Sequence, residues 1–294
     1  MIIKTSRQLK DKVSNLSEND SKKAQTLIRK YMMERFLARI SRSEYKNNFI
    51  LKGGMLVSAL VGVEARATMD IDTTVRMLPL TKDKAIDVIT EIMKIDLADD
   101  ISYEIKKIED IMEEHDYSGV RFTVAVTLEK LRDTIKIDIS TGDEITPSAI
   151  EFSYPMMFDD EKLYIWSYNL ETMLAEKLET VIARSTLNTR MRDFYDIHIL
   201  WLEKADMINI ETLRRAIINV ARKRGTLELF DNIDEILNDI VESDYLRKNW
   251  SNYKKGSYYV GNLSWDAALE TTLSIFKNEI GSLSVTVLNA NHYN

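Results

Sequence analysis

Cysteine is absent from the 294 residues, and histidine occurs three times. Disulfides and thiolate metal sites are therefore excluded, and a zinc site would need carboxylates as well, so a catalytic metal is expected to be hard and oxygen-ligated. Proline (3) and glycine (9) are scarce beside 45% hydrophobic and 30% charged residues, a balance that belongs to a folded, helix-rich chain and not to a disordered one. Missing too is any run near the ~20 apolar residues that a membrane helix needs. Met1 to Lys12 lacks the apolar stretch of a secretory signal, so a cytoplasmic protein without a membrane partner is expected. Excess positive charge is also lacking. A net charge of −7 argues against non-specific coating of nucleic acid, which rests on neutralising many phosphates, but allows local basic patches. The length accommodates two ordinary domains.

Residues Ser21 to Arg42 carry Met33, Phe36, Leu37 and Ile40 at helical spacing, with Arg35, Arg39 and Arg42 as a basic stripe on another side. Phe49 to Lys52 runs apolar into Gly53-Gly54, and Met55 to Val61 follows as a buried helix, so the glycines stand at a helix N-terminus suited to holding an anion. Met69 to Met77 favours a strand and Thr81 to Ile95 a helix. Val120, Phe122, Val124 and Val126 alternate strictly, as do Ile135, Ile137 and Ile139, which predicts two more strands. Beyond about Trp166 the pattern becomes helical, through Leu170 to Arg184, Asp193 to Leu202, Ile210 to Lys223, Ile233 to Tyr245 and Trp265 to Ile280. The fold expected is α+β: a mixed sheet with flanking helices over residues 1–165, then a helical domain over 166–294 that closes the nucleotide cleft. The polar end from Gly281 to Asn294 reads as partly disordered.

Asp70 and Asp72 flank Ile71 in a predicted strand, and strand side chains alternate, so both carboxylates leave the same face of the sheet. Lys136, Asp138 and Ser140 lie opposite the apolar face of Ile135, Ile137 and Ile139. If the two strands are neighbours, three carboxylates converge. Their mutual repulsion is relieved by one or two Mg²⁺ ions, or Mn²⁺, which clamp the attacking and leaving oxygens of a nucleotidyl transfer. Gly53-Gly54 supplies the anion half, since glycine lets the backbone approach a triphosphate closely. Alone, a lone Asp-Ile-Asp is a solvated strand face and Gly-Gly a plain turn. Together with a third Asp on a later strand they supply what a nucleotide-transfer site needs.

These residues carry a resemblance to the AbiEii/AbiGii nucleotidyltransferase toxins, which belong with the polymerase-β-like transferases. It rests on Leu51-Lys52-Gly53-Gly54-Met55, on Arg66-Ala-Thr68-Met-Asp70-Ile-Asp72, on Ile137-Asp138-Ile139 with Gly142-Asp143, on Leu174 to Glu179, and on Arg190-Met-Arg192-Asp193-Phe-Tyr195-Asp196-Ile197. The resemblance implies that Lys52, Gly53 and Gly54 form the triphosphate loop, that Asp70 and Asp72 hold the metal and that Asp138 is the third carboxylate. It further implies that Lys177 contacts the nucleotide and that Arg190, Arg192, Asp193 and Asp196 make the last functional motif. Arg192 stands where the family often has Lys, a fork in place of a point charge. The implied activity is transfer of a nucleotide from a nucleoside triphosphate to RNA, with transfer RNA as acceptor. The implied setting is growth arrest in phage defence, with a cognate antitoxin encoded nearby that need not bind the toxin.

Read from residue types alone, Lys177 and Arg184 share a helix face that is as well explained by ion pairing with Glu176 and Glu179, and Asp193 by stabilisation of a helix start. His115 and His198 read as ordinary histidines. The aromatic and basic residues Tyr253 to Lys255 and Tyr258-Tyr259 suit either RNA stacking or packing of a C-terminal loop on the helices. Candidates for a basic RNA groove are Arg35, Arg39, Arg42, Arg214, Arg215, Arg222, Lys223 and Arg224. Two alternatives keep the nucleotide site: a transferase that places a nucleotide on a protein hydroxyl, and a regulator that binds a triphosphate without transferring it.

Overall fold

The computed structural model describes residues 3–78, 81–112, 118–159 and 161–280. His115 and the tail from Gly281 lie outside the described residues. The chain divides into two compact units, Met1–Asp143 with Ala149–Tyr168, and Glu144–Ser148 with Asn169–Asn294.

The first unit is built on a mixed seven-stranded sheet. Its strands are β1 (Phe49–Lys52), β2 (Asp70–Val75), β3 (Ile101–Met112), β4 (Ser118–Leu128), β5 (Leu131–Thr141), β6 (Ile150–Pro155) and β7 (Lys162–Ser167), in the spatial order β3-β4-β5-β2-β1-β7-β6. β2 runs parallel to β5 and β1 parallel to β7, while the other pairings are antiparallel. Four helices accompany it: α1 (Ser6–Ser17), α2 (Ser21–Arg42), α3 (Gly53–Val61) and α4 (Lys82–Met93). Their starts follow local chemistry. Thr5 and Gln8 close a capping box on α1, Asp20 accepts from the amides of Lys22 and Lys23 at the start of α2, and Thr81 caps α4. One face of the sheet buries Phe122, Val124, Ile135, Ile137, Ile139 and Ile71, and α4 contributes Ala85, Val88, Ile89 and Ile92 to the core.

Helix α2 forms over the predicted residues, but its arginine stripe does not face solvent. Arg35 and Arg39 are buried on Asp99, with Nε of Arg35 2.7 Å from Oδ2 and Nη2 of Arg39 2.8 Å from Oδ1. Burial pushes the Asp99 carboxyl up, yet the two guanidiniums outweigh it and hold it below the usual range. These arginines are therefore removed from the set of RNA contacts; the sequence does not reveal that Asp99 comes to meet them. Next to Arg35 in the chain, Glu34 is 1% exposed, accepting from the Met157 amide at 2.9 Å and lying 3.8 Å from Lys30. Burial pushes its carboxyl up to about 7.

The second unit carries helices α5 (Leu170–Arg184), α6 (Met191–Lys204), α7 (Ile210–Arg224), α8 (Ile233–Glu242), α9 (Asp244–Gly256) and α10 (Trp265–Ser274). Asn169 caps α5 by accepting from the Thr172 amide at 2.7 Å. α5 packs on α6 and α7, and α6 packs on α9 and α10. The Tyr253–Lys255 segment lies within α9, not in a loop. Its aromatics join Trp250, Trp265 and Phe194 in a packed cluster, with Phe194 and Trp265 ring centroids 4.9 Å apart and the Tyr253 and Tyr259 hydroxyls 2.9 Å apart. That satisfies the packing alternative for these rings. No helix among the described residues is long and apolar enough to cross a membrane.

Candidate active site

The register of the sheet builds the site. β2 places Asp70 beside Lys136 and Asp72 beside Asp138 of β5, while β1 places Lys52 beside Asp72. Side chains on adjacent strands at paired positions leave the same face. Asp70, Asp72 and Asp138 each offer an oxygen, and these oxygens lie within 4.8 Å of one another. All three residues are half-buried. A hard divalent cation takes oxygen ligands, so three carboxylates brought this close fit Mg²⁺ or Mn²⁺.

Strand β1 ends directly at the glycines. Gly53 adopts a φ of +65°, and a Cβ placed on it would stand 2.0 Å from Oδ2 of Asp72. Any side chain there collides with the Asp72 carboxylate, so this position needs glycine for both its backbone angle and the close approach. The Gly54 amide points at the same oxygen from 3.4 Å. Lys52, the residue before α3, makes no side-chain cap to the helix. The Thr68 hydroxyl donates to Oδ1 of Asp70 at 3.0 Å and packs beside Gly54, tying the glycine turn to the carboxylates. Arg66 is buried, with Nη2 3.3 Å from the position of a Cβ on Gly54, so a positive charge lies beside the turn.

Lys52 itself is buried, and its ammonium is 2.5 Å from Oδ2 of Asp143. The Tyr168 hydroxyl and the Ser140 hydroxyl donate to the same carboxylate at 2.8 and 3.0 Å. Burial raises Asp143, but the Lys52 charge and these donors outweigh it and keep it below the usual carboxylate range. Lys52 is thus anchored behind the glycine turn.

One neighbour of the carboxylates escapes sequence reasoning. Arg121 of β4 pairs with Asp138 in register, and its guanidinium takes both carboxylate oxygens, Nε to Oδ1 at 2.7 Å and Nη2 to Oδ2 at 2.5 Å. Hydrogen bonding to Asp138 pushes the Arg121 pKa up, with Asp70 and Asp72 adding to it. The visible signal is an arginine inside an otherwise apolar and β-branched strand; that it meets Asp138 depends on a hairpin register which the alternation alone does not fix. Asp143 appeared in the sequence as part of a motif, without the lysine that it holds.

In the second unit, α5 and α6 bring together Lys177, Asp193 and Asp196. The Lys177 ammonium donates to Oδ1 of Asp193 at 3.2 Å and to Oδ2 of Asp196 at 2.7 Å. Both carboxylates are fully buried and Lys177 is 8% exposed. Arg190 sets its Nε 2.7 Å from Oδ2 of Asp193, at ion-pair distance but outside hydrogen-bond alignment. Burial raises Asp193, and Lys177 and Arg190 together bring it below the usual range. Arg192 is exposed on α6. The spacing of Asp193 and Asp196 by three residues puts both on one side of their helix, which is why one ammonium reaches both. His198 sits half-buried with Nδ1 2.7 Å from the Thr271 hydroxyl, and burial lowers its pKa.

A model of the family described as the nucleotidyl transferase AbiEii toxin of type IV toxin–antitoxin systems matches residues 35–271. The chain belongs to this family. The match spans every site residue from Lys52 to Asp196. Membership implies a nucleoside triphosphate substrate and a cognate antitoxin. Among solved structures the chain is similar to JHP933 from Helicobacter pylori, at a TM-score of 0.49 and 16% identity over 91% of this chain and 98% of that one. A second Helicobacter pylori structure aligns at 0.46 and 15% over 87% of this chain and 92% of that one. An antigenic nucleotidyltransferase-like protein from Paracoccidioides brasiliensis aligns at 0.36 and 16% over 78% and 93%. No curated protein matches the chain.

Proposed function

We propose that this AbiEii-family protein transfers a nucleotide from a nucleoside triphosphate to RNA, with transfer RNA as the acceptor, and that Asp70, Asp72 and Asp138 carry the chemistry. The observation behind this reading is the convergence of the three carboxylate oxygens within 4.8 Å, directly against the Gly53-Gly54 turn. Asp70 and Asp72, with one oxygen of Asp138, would hold the divalent cation, which would neutralise charge developing on the reacting oxygens. The backbone of the Gly53-Gly54 turn and the nearby Arg66 charge receive the phosphates. The acceptor hydroxyl oxygen attacks the α-phosphorus and loses its proton to the Asp138 carboxylate. The bond from the α-phosphorus to the bridging oxygen breaks in line, and pyrophosphate leaves with the electron pair. Lys177, held by Asp193 and Asp196 with Arg190 beside them, is the candidate nucleotide contact of the helical unit, and exposed Arg192 belongs to the same motif. The biological outcome is growth arrest in phage defence.

RNA is favoured over a protein acceptor by the exposed basic residues that remain once Arg35 and Arg39 are removed: Arg42, and Arg215, Arg222 and Lys223 on α7. Arg224 is committed to Glu176 and Glu179. The test is incubation of purified protein with Mg²⁺, each α-³²P-labelled nucleoside triphosphate in turn and total bacterial RNA, beside Asp72→Ala. Label in small RNA with the wild type alone is the expected result. Label in protein bands moves the reading to a protein acceptor, and triphosphate binding without any labelled product moves it to a regulator.

A further inference from the structure

Beside the carboxylates, one face of β3, β4 and β5 carries half-buried and exposed side chains among the described residues. β4 pairs with β5 so that Arg121 opposes Asp138 and Thr123 opposes Lys136, and β3 adds Glu109 opposite Arg121 and Lys107 opposite Thr123. Since cross-strand partners share a face, these side chains and the three aspartates lie on one continuous surface. Lys107 and Lys136 are exposed there, and the Arg121 side chain is 35% exposed. The opposite face is the core, with Phe122, Val124, Ile135 and Ile137 at 0%.

The cations on this surface are not equally committed. Lys107 lies 2.7 Å from Glu109. Lys136, beside Asp70 in register, has no carboxylate within ion-pair distance among the described residues. Arg121 occupies both oxygens of Asp138, and a divalent cation shared by Asp70, Asp72 and Asp138 needs one of those oxygens. If Asp138 turned an oxygen to such a cation, one arm of the guanidinium would be released while its charge stayed, because arginine does not deprotonate. Lys136 lies two residues along β5 from Asp138, the partner of Arg121, an offset of about 7 Å along the strand. With a net charge of −7 the molecule repels a polyanion over most of its surface, and accepts one where cations are exposed and unpaired.

We propose that Arg121 and Lys136 are the acceptor-side phosphate contacts: the RNA strand lies on this face of β3, β4 and β5, its backbone phosphates held by Lys136 and by the arm of Arg121 released from Asp138. This rests on the reading of the acceptor as RNA. Arg121 therefore serves two partners in turn, as counter-ion to Asp138 and then as a phosphate ligand.

The experiment measures two bindings in wild type, Arg121→Gln, Arg121→Lys and Lys136→Gln, with thermal melting to confirm that each folds. Fluorescein-labelled bacterial transfer RNA is titrated in Mn²⁺ without triphosphate across a salt series, and Mn²⁺ alone is titrated by electron paramagnetic resonance. Lys136→Gln is expected to weaken RNA binding and lower the slope of log affinity against log salt by about 0.7 to 0.9, the loss of one phosphate contact. Arg121→Gln is expected to do the same to RNA while binding Mn²⁺ several-fold more tightly, because Asp138 is no longer forked; Arg121→Lys falls between. An Arg121 that merely holds the strands together predicts weaker Mn²⁺ binding in Arg121→Gln, which overturns the proposal, as does an unchanged RNA affinity and slope in both glutamine variants. Wild type that binds no transfer RNA also overturns it, and whether the RNA reading falls with it is decided separately by where the α-³²P label appears.

Discussion

Replacing Lys177 with methionine keeps most of the stem and removes the ammonium that donates to Asp193 at 3.2 Å and Asp196 at 2.7 Å. Both carboxylates are 0% exposed, so water does not take the place of the lost donor. Breaking a buried ion pair by deleting one partner costs about 3 to 5 kcal/mol, because a charge is left in a low-dielectric interior. Arg190 remains 2.7 Å from Asp193, which puts the expected cost at the lower end, about 3 kcal/mol. At about 4 °C per kcal/mol for a unit of this size, the melting temperature should fall by about 12 °C. The pH dependence carries the sign. Asp193 is held low in the folded protein, so its contribution is present above the unfolded carboxylate pKa and is lost as pH falls through the folded value. The gap between wild type and variant should therefore be full at pH 7 and narrow below about pH 4. Adding Asp193→Asn to the methionine variant should recover part of the loss, since it removes one stranded charge. Thermal melts by circular dichroism over pH 3.5 to 8 measure all of this. A shift under about 1 °C at pH 7 would refute the reasoning, because the cluster would then be solvated and not a buried charge triad.

Two further outcomes are expected. Gly53→Ala drives a Cβ to 2.0 Å from Oδ2 of Asp72 at a φ of +65°, so Mn²⁺ binding should weaken at least tenfold and transfer should be lost, measured by titration beside the activity assay; wild-type Mn²⁺ affinity would contradict the close approach. Glu34 has its carboxyl raised to about 7, so its contribution to stability is full below about pH 4.5 and is lost as pH rises through 7. Denaturant melts of Glu34→Gln should show a flatter stability profile between pH 5 and 8 than the wild type, and identical slopes would place the charge in water and not in the core.

The sequence makes the site's carboxylates legible because period-two alternation is a local property. Asp70 and Asp72 share a face whichever strand lies beside them, and Asp138 opposes three isoleucines whatever the sheet order. The glycine turn is equally local: Gly53 follows an apolar run and opens α3. What pairs with these residues is set by contacts distant in sequence. Arg121 meets Asp138, Lys52 meets Asp143, and Asp99 captures Arg35 and Arg39 across 64 and 60 positions. An arginine stripe on a helix looks the same in sequence whether it faces water or a buried carboxylate. Strand β3 was not apparent either, since its alternation breaks at the bulge between Ile105 and Lys107, and neither was α9, whose residues buried in the core are Leu246 and Trp250. The family resemblance, in turn, identified Lys177, Asp193 and Asp196 together, whereas their residue types alone fit surface ion pairing; the structure shows the three in one buried cluster.

If the carboxylate site transfers a nucleotide, pyrophosphate is released. Parallel reactions with α-³²P- and γ-³²P-labelled nucleoside triphosphate, Mg²⁺ and bacterial RNA test it most directly. The expected result is α-label on RNA and γ-label released as pyrophosphate, both abolished by Asp72→Ala. Transfer of the γ-label to RNA or protein would contradict it, since that outcome is phosphoryl transfer and not nucleotidyl transfer.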